Sequence, residues 1–218
     1  AVNFAYLHRF HENQIVENAR RAEREGFDVF IIGALQDLGI QIARTVVDIP
    51  VIGYGEVSML TAVSLGSRFS FICINPDMDP IIQAMIRDNS LESRAAPNTF
   101  MDCGYSDLSD AVNGKPARFL EAFVAASRRA MRDHGVDVIL PGQTIIAELL
   151  WREGLREIDG AVVLDPRLPM LRFAEMRHDM RRAGYGVSRR GFYWARPPRE
   201  LEQGVRDFYA QPERADQR

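Results

Sequence analysis

Cysteine is scarce in this sequence: Cys73 and Cys103 are the only two among 218 residues. So small a number reads as free thiols rather than as a disulfide framework. No Cys-x-x-Cys and no His-Glu-x-x-His spacing occurs, and His8, His11, His134 and His178 are scattered, so no metal site is expected. Neither sign of charge is in excess. Lys and Arg total 27 against 30 Asp and Glu, a net charge of −3, which is not the footprint of a nucleic-acid binder. The apolar runs are of strand length, too short to cross a membrane as a helix, and no charged-then-apolar leader is read. A cytoplasmic location without membrane or nucleic-acid partners is the expectation. A phosphate-binding glycine loop is missing as well, because Gly53-Tyr54-Gly55 lacks the third glycine and its spacing.

What is present is an internal repeat. Gly135-Val136-Asp137-Val138-Ile139-Leu140-Pro141-Gly142-Gln143 follows the pattern of Gly26-Phe27-Asp28-Val29-Phe30-Ile31-Ile32-Gly33-Ala34. Each is a short apolar run ended by glycine, preceded by an arginine-rich amphipathic pattern and followed by another helical one. That is how a buried parallel strand delivers its carboxyl end to a loop. In an open α/β sheet, ligands bind just beyond those ends, which puts Ala34 and Gln143 where chemistry is expected. With 46% hydrophobic residues the chain can bury one large core or two small lobes.

Taken in order, Val2 to Leu7 reads as a short strand and His8 to His11 as a polar loop. Glu12 to Glu25 is an amphipathic helix with Ile15, Val16, Ala19 and Ala22 on one face. Strand Asp28 to Ile32, a helix through Ile40, Ala43 and Val47, strand Val51 to Gly53 and a helix opened by Glu56 and ending at Gly66 follow. Arg68 to Ile74 alternates as a strand, and Pro80 sits in the first turn of a helix running to about Asp88. Asn89 to Asn98 reads as loop, Thr99 to Cys103 as a weaker strand and Gly104 to Pro116 as a long covering connection. Helix Ala117 to His134, the second repeat strand, helix Thr144 to Arg152, strand Ala161 to Leu164 and helix Pro169 to Ala183 complete the pattern, before a polar tail. The expected fold is α/β: two pseudo-symmetric lobes, each a mostly parallel sheet flanked by helices, with a cleft between them. The first lobe is read as 1–67 plus 167–218 and the second as 68–166. Strand 69–74 precedes its repeat loop without a counterpart in the first half, so a strand–helix unit of roughly 30 residues or more is expected to be missing from this numbering; a smaller first lobe is the alternative.

The stretches GFDVFIIGALQDLGIQIAR, DIPVIGYGEVSMLTAVSLGSRFSFI, GVDVILPGQT, AVVLDP and SRRGFYWARPP resemble the aspartate/glutamate/hydantoin racemase superfamily, and most closely its hydantoin racemase branch. The resemblance implies a small-molecule substrate in an interlobe cleft, no cofactor, and one cysteine per lobe working on opposite faces of the substrate carbon, one as thiolate base and one as thiol acid. Those cysteines align with Ala34 and Gln143. Alanine has no proton to exchange and an amide is no base near neutral pH, so the two-thiol route is closed on that alignment. Gly33, Gly142 and Thr144 stay in place, which implies a cleft that has kept its backbone for holding substrate.

Each candidate carries two readings. Gln143 either orients a substrate carboxylate or amide and stabilises an enolate, or caps the helix after it. Thr144 bonds a substrate oxygen or caps that helix. Cys73 closes a strand at the same sheet edge and is either a relocated acid, base or nucleophile, or an inert packed thiol; Cys103 faces the same choice. Glu56 is a general base or a carboxylate at a helix start, and Asp37 lines the first loop or caps. Gly33, Ala34 and Leu35 on the first loop, Gly142 on the second, and Tyr6, His8 and His11 after the first strand are candidates for substrate contact. Arg189 and Arg190 bind an anion or are solvated. The expectation is a cofactor-independent enzyme of isomerase or decarboxylase type acting on a small carboxylate or cyclic amide by carbon-acid chemistry, with Cys73, Glu56 and Gln143 as catalytic candidates. A ligand-binding pseudoenzyme and a cyclic amide hydrolase are the alternatives, and a homo-oligomer is possible.

Overall fold

Glycine at the ends of apolar runs sets where this chain turns. A computed structural model describes residues 4–191 and 193–210. In chain order the elements are α1 (Ala5–Arg24), β1 (Phe30–Ile32), α2 (Ile40–Val46), β2 (Val51–Gly53), α3 (Tyr54–Leu65), β3 (Phe69–Cys73), a 3-10 turn at Pro76–Met78, α4 (Asp79–Asp88) and β4 (Thr99–Phe100). They continue as α5 (Tyr105–Val112), α6 (Ala117–His134), β5 (Val138–Pro141), α7 (Thr144–Arg152), β6 (Glu157–Ile158), β7 (Ala161–Val163), α8 (Arg167–Arg182) and α9 (Arg199–Ala210). Gly26 (φ 84°) and Gly135 (φ 65°) take the left-handed conformation that ends α1 and α6, the two helices feeding the repeat strands.

Two mostly parallel sheets result. β1 pairs with β2 in parallel, Ile31 opposite Ile52. The larger sheet runs β4-β3-β5-β7-β6, parallel except for β6 against β7. The order α1, β1, α2, β2, α3 recurs as α6, β5, α7, β7, α8, and the last helices of the two series pack against each other. Helices cover both faces of β3, so its five residues are all buried, where the sequence pattern suggested alternation. Ile72 joins the core under α5 and α6, while Phe69, Phe71 and Cys73 join the one under α3, α4 and α8. The inner end of the small sheet is tied to the large one by the Tyr54 hydroxyl, fully buried, which donates to the Pro141 carbonyl at 3.1 Å.

Four expectations are corrected. The strand at Val2 to Leu7 is instead the start of α1, with Tyr6 and Phe10 edge to face at 5.3 Å, one helical turn apart; Val2 and Asn3 lie outside the described residues. A six-residue apolar run does not by itself distinguish a strand from the end of a helix. His8 and His11 therefore sit on α1 and not in a loop. The Gly104 to Pro116 connection holds α5, started by the Asp107 carboxylate accepting from the Gly104 N–H at 2.8 Å and anchored by buried Leu108 and Ala111. The polar tail carries α9, tied to α1 by ion pairs of Glu202 with Arg20 and of Arg206 with Glu17. Phe192, in the tail motif, lies outside the described residues.

Tyr54→Phe removes the hydroxyl and orphans a buried carbonyl, and should cost about 1–2 kcal/mol of unfolding free energy by denaturant titration. A loss below ~0.5 kcal/mol would mean that this link does not hold the sheets together.

Candidate functional site

The two repeat strands end side by side. Thr144, the first residue of α7, donates its hydroxyl to the Gly33 carbonyl at 2.6 Å, joining the strand ends of β1 and β5 across half the chain. Beside this contact opens a cleft of about 290 Å³. Ala34, Leu35 and Gln36 line it from the loop after β1, and Gly142 to Ile145 from the loop after β5. Cys73 and Asn75 enter from the end of β3, and Met78 and Tyr105 complete the wall.

Gly142 makes the close approach possible. Its N–H donates to the Ile72 carbonyl at 2.9 Å, and a Cβ there would stand 2.4 Å from Cys73 Sγ. The thiol is 4% exposed and is pushed up to about 12, first by burial and then by the charge of Asp79. At neutral pH it is therefore an S–H, able to give a proton but not to act as a thiolate. Cys103 is half-buried and also raised, mainly by burial, and does not line the cleft.

Gln143 stands at the N-cap of α7 in extended conformation, yet its side chain makes no capping bond. Its Nε2 donates instead to the Tyr105 hydroxyl at 3.0 Å, tying the cleft to α5. Thr144, read from the sequence as a substrate contact or a cap, has its hydroxyl hydrogen engaged by the Gly33 carbonyl.

Glu56 lies elsewhere. Arg44 grips its carboxylate at 2.9 and 2.6 Å while also donating to the Val51 carbonyl, and Glu56 borders a separate groove of about 500 Å³ shared with His8, Asp37 and Trp194. Tyr6 is 74% exposed on α1 and reaches neither cavity. Arg189 is tied down, donating to Asp48 and to the last carbonyls of α2, whereas Arg190 is exposed.

Asp37 is the buried carboxyl group of the first loop. Its carboxylate accepts from the N–H groups of Gly55 at 3.0 Å and Glu56 at 2.6 Å, capping α3 and not the helix it precedes. The cap requires glycine at 53, where a Cβ would meet the carboxyl carbon at 2.4 Å. Burial raises Asp37 to about 7, against the pull of those two backbone bonds. Sequence reasoning missed Tyr105, Asn75, Gln36 and Met78; the Gly-Tyr-Ser-Asp helix start was the legible signal for the first.

A sequence profile of the Asp/Glu/Hydantoin racemase family matches residues 8–167. The chain belongs to that family. It is 26% identical over 166 residues to the hydantoin racemase of Pseudomonas sp. (strain NS671), covering 76% of this chain and 64% of that one. The chain thus spans slightly less than two thirds of that relative's length. Among solved structures it resembles the allantoin racemase of Klebsiella pneumoniae, with a TM-score of 0.65 at 21% identity over 85% of this chain and 71% of that one. It also resembles a mutant arylmalonate decarboxylase in a sulfate-associated form, at a TM-score of 0.50 and 17% identity over 83% of this chain and 81% of that one. These likenesses place the family's α/β two-lobed fold on this chain. No helix among the described residues is long and apolar enough to cross a membrane.

In this racemase-family member Asp37 sets a pH dependence of stability. The folded chain holds a proton on Asp37 up to about pH 7, while the unfolded chain releases it near 3.8, so the native state binds more protons in that window. Stability should fall as pH rises from 4 to 7 by this contribution, and Asp37→Asn should flatten the fall in melting curves. An unchanged slope in that variant would show Asp37 ionised in the fold.

Proposed function

We propose that this chain is a cofactor-independent enzyme of carbon-acid chemistry, of isomerase or decarboxylase type, acting on a small carboxylate or cyclic amide without a two-cysteine mechanism. The observation that carries the proposal is the meeting of Ala34, Gln143 and Cys73 in one cleft at the carboxyl ends of the repeat strands. With neither repeat position able to trade protons, the buried Cys73 thiol is the acid, Gln143 a donor to developing enolate oxygen, and Gly33, Ala34, Leu35, Gly142 and Thr144 the frame. On this reading 1–67 with 167–218 forms one wall and 68–166 the other, which the packing of α8 on β2 and α3 supports. Relatives named as racemases support the reaction class.

Between the two types, the protonation state of the cleft favours decarboxylation. None of the described residues lining it is a carboxylate, an imidazole or a cation, and Cys73 holds its proton, so the site offers a proton but no base to remove one. Loss of carbon dioxide needs no base: the carbon–carbon bond breaks, its electron pair stays on the α-carbon as an enolate, and the Cys73 S–H protonates one face. Water then returns a proton to sulfur. An uncharged wall also disfavours a substrate carboxylate more than its charge-dispersed transition state.

Proton NMR of substituted malonates in heavy water should reveal deuterium at the α-carbon of the product, mainly on one face, whereas hydantoins, whose exchange needs a base, should take up none. Cys73→Ser should slow that incorporation roughly 10²-fold or more. Incorporation untouched in Cys73→Ser would remove the thiol from the mechanism, and silence across the panel with thermal-shift binding intact would favour a binding protein. Separately, alkylation of Cys73 by iodoacetamide should be slow at pH 7.5 and accelerate only in strong alkali, read by mass spectrometry. Fast labelling at neutral pH would contradict a thiol-acid role.

A further inference from the structure

Helix α7 borders two cavities. Its first residues line the cleft, and its last turn lines a second pocket of about 450 Å³, walled also by α3, β7 and the start of α8. No residue lines both. The walls of the second pocket are apolar: apart from the Trp151 indole, only Thr61, Arg156 and Asp165 bring a polar side chain to it. Trp151 is 54% exposed and Leu168 62%, so a broad hydrocarbon surface is left open to water. A concave apolar site of this size with few polar groups is the form in which small organic ligands are held.

The two charged groups of its wall differ in what they already hold. Asp165 is taken up by Arg167, which donates to both carboxylate oxygens at 2.8 to 3.1 Å. Arg156 has no such partner: its guanidinium stands 5.7 Å from the centre of the Trp151 ring, and neither an ion pair nor a hydrogen bond engages it among the described residues. A guanidinium held through an aromatic face keeps its N–H donors available for a carboxylate. We propose that this pocket is a second small-molecule site, which takes an apolar monocarboxylate with its ring or short chain against Trp151, Leu150 and Leu168 and its charge on Arg156. An amine would meet an uncompensated cation, and a neutral hydrocarbon would leave the guanidinium without its counterion. The proposal does not rest on the carbon-acid reading of the cleft.

Tryptophan occurs twice in the 218 residues, as Trp151 and Trp194, so Trp194→Phe leaves an emission that reports on this pocket alone. Titrating that variant with 4-phenylbutyrate should give a saturable change in Trp151 emission, and 4-phenylbutyramide, similar in shape but uncharged, should bind roughly threefold to tenfold more weakly. Arg156→Gln, a change at an exposed position, should weaken the acid to the level of the amide while sparing the amide. Calorimetry of the unaltered chain and of Arg156→Gln with the same two compounds repeats the comparison without the Trp194 substitution. Equal affinities for acid and amide, a preference that survives Arg156→Gln, or no saturable binding would each overturn the proposal. If emission ignores the acid and sedimentation finds an oligomer that Trp151→Ala dissociates, a second copy covers the pocket and the proposal falls.

Discussion

The hydrogen bond from Thr144 to the Gly33 carbonyl is the contact on which the site depends, because it brings two strand ends from opposite halves of the chain to one place. Tyr54 reinforces it on the buried side, where its hydroxyl reaches Pro141. Each such bond contributes only about 1 kcal/mol on balance. Position matters more than strength here: both bonds fasten carbonyls that end strands, and those strand ends carry Ala34 and Gln143. Without them the two sheets would share helices but not a floor.

Close approach follows from the same geometry. Gly142 lies against Cys73 with no room for a Cβ, and Gly53 does the same for the Asp37 carboxyl. The first contact buries a thiol and keeps it protonated; the second buries a carboxylate at the start of α3 and holds the loop that carries Ala34. Burial thus sets the proton chemistry of both groups in one direction, toward the neutral form.

Much of the fold was legible because periodicity and glycine placement are local. The repeat predicted β1 and β5, and α6 and α7 begin and end where their patterns do. What failed had weak or misleading local signals. The apolar start at Phe4 to Leu7 belongs to a helix stabilised by packing on α2, α5 is held by a cap within a polar stretch, and α9 is fastened by ion pairs to α1. Gln143 and Thr144 were placed correctly along the chain, but their partners, Tyr105 and Gly33, lie 38 and 111 residues away.

By itself the sequence determined the parallel α/β pattern, the pairing of its halves and the strand-end loops that border the cleft, because strand length, helix period and terminal glycines are properties of neighbouring residues. Only the tertiary structure decided that Glu56 serves Arg44 outside the cleft, that Asp37 caps a helix from across a loop, and that the buried Cys73 thiol lines the same cleft as Tyr105 and Gln143. Those outcomes turn on burial and on contacts between distant residues, and neither is encoded in local spacing.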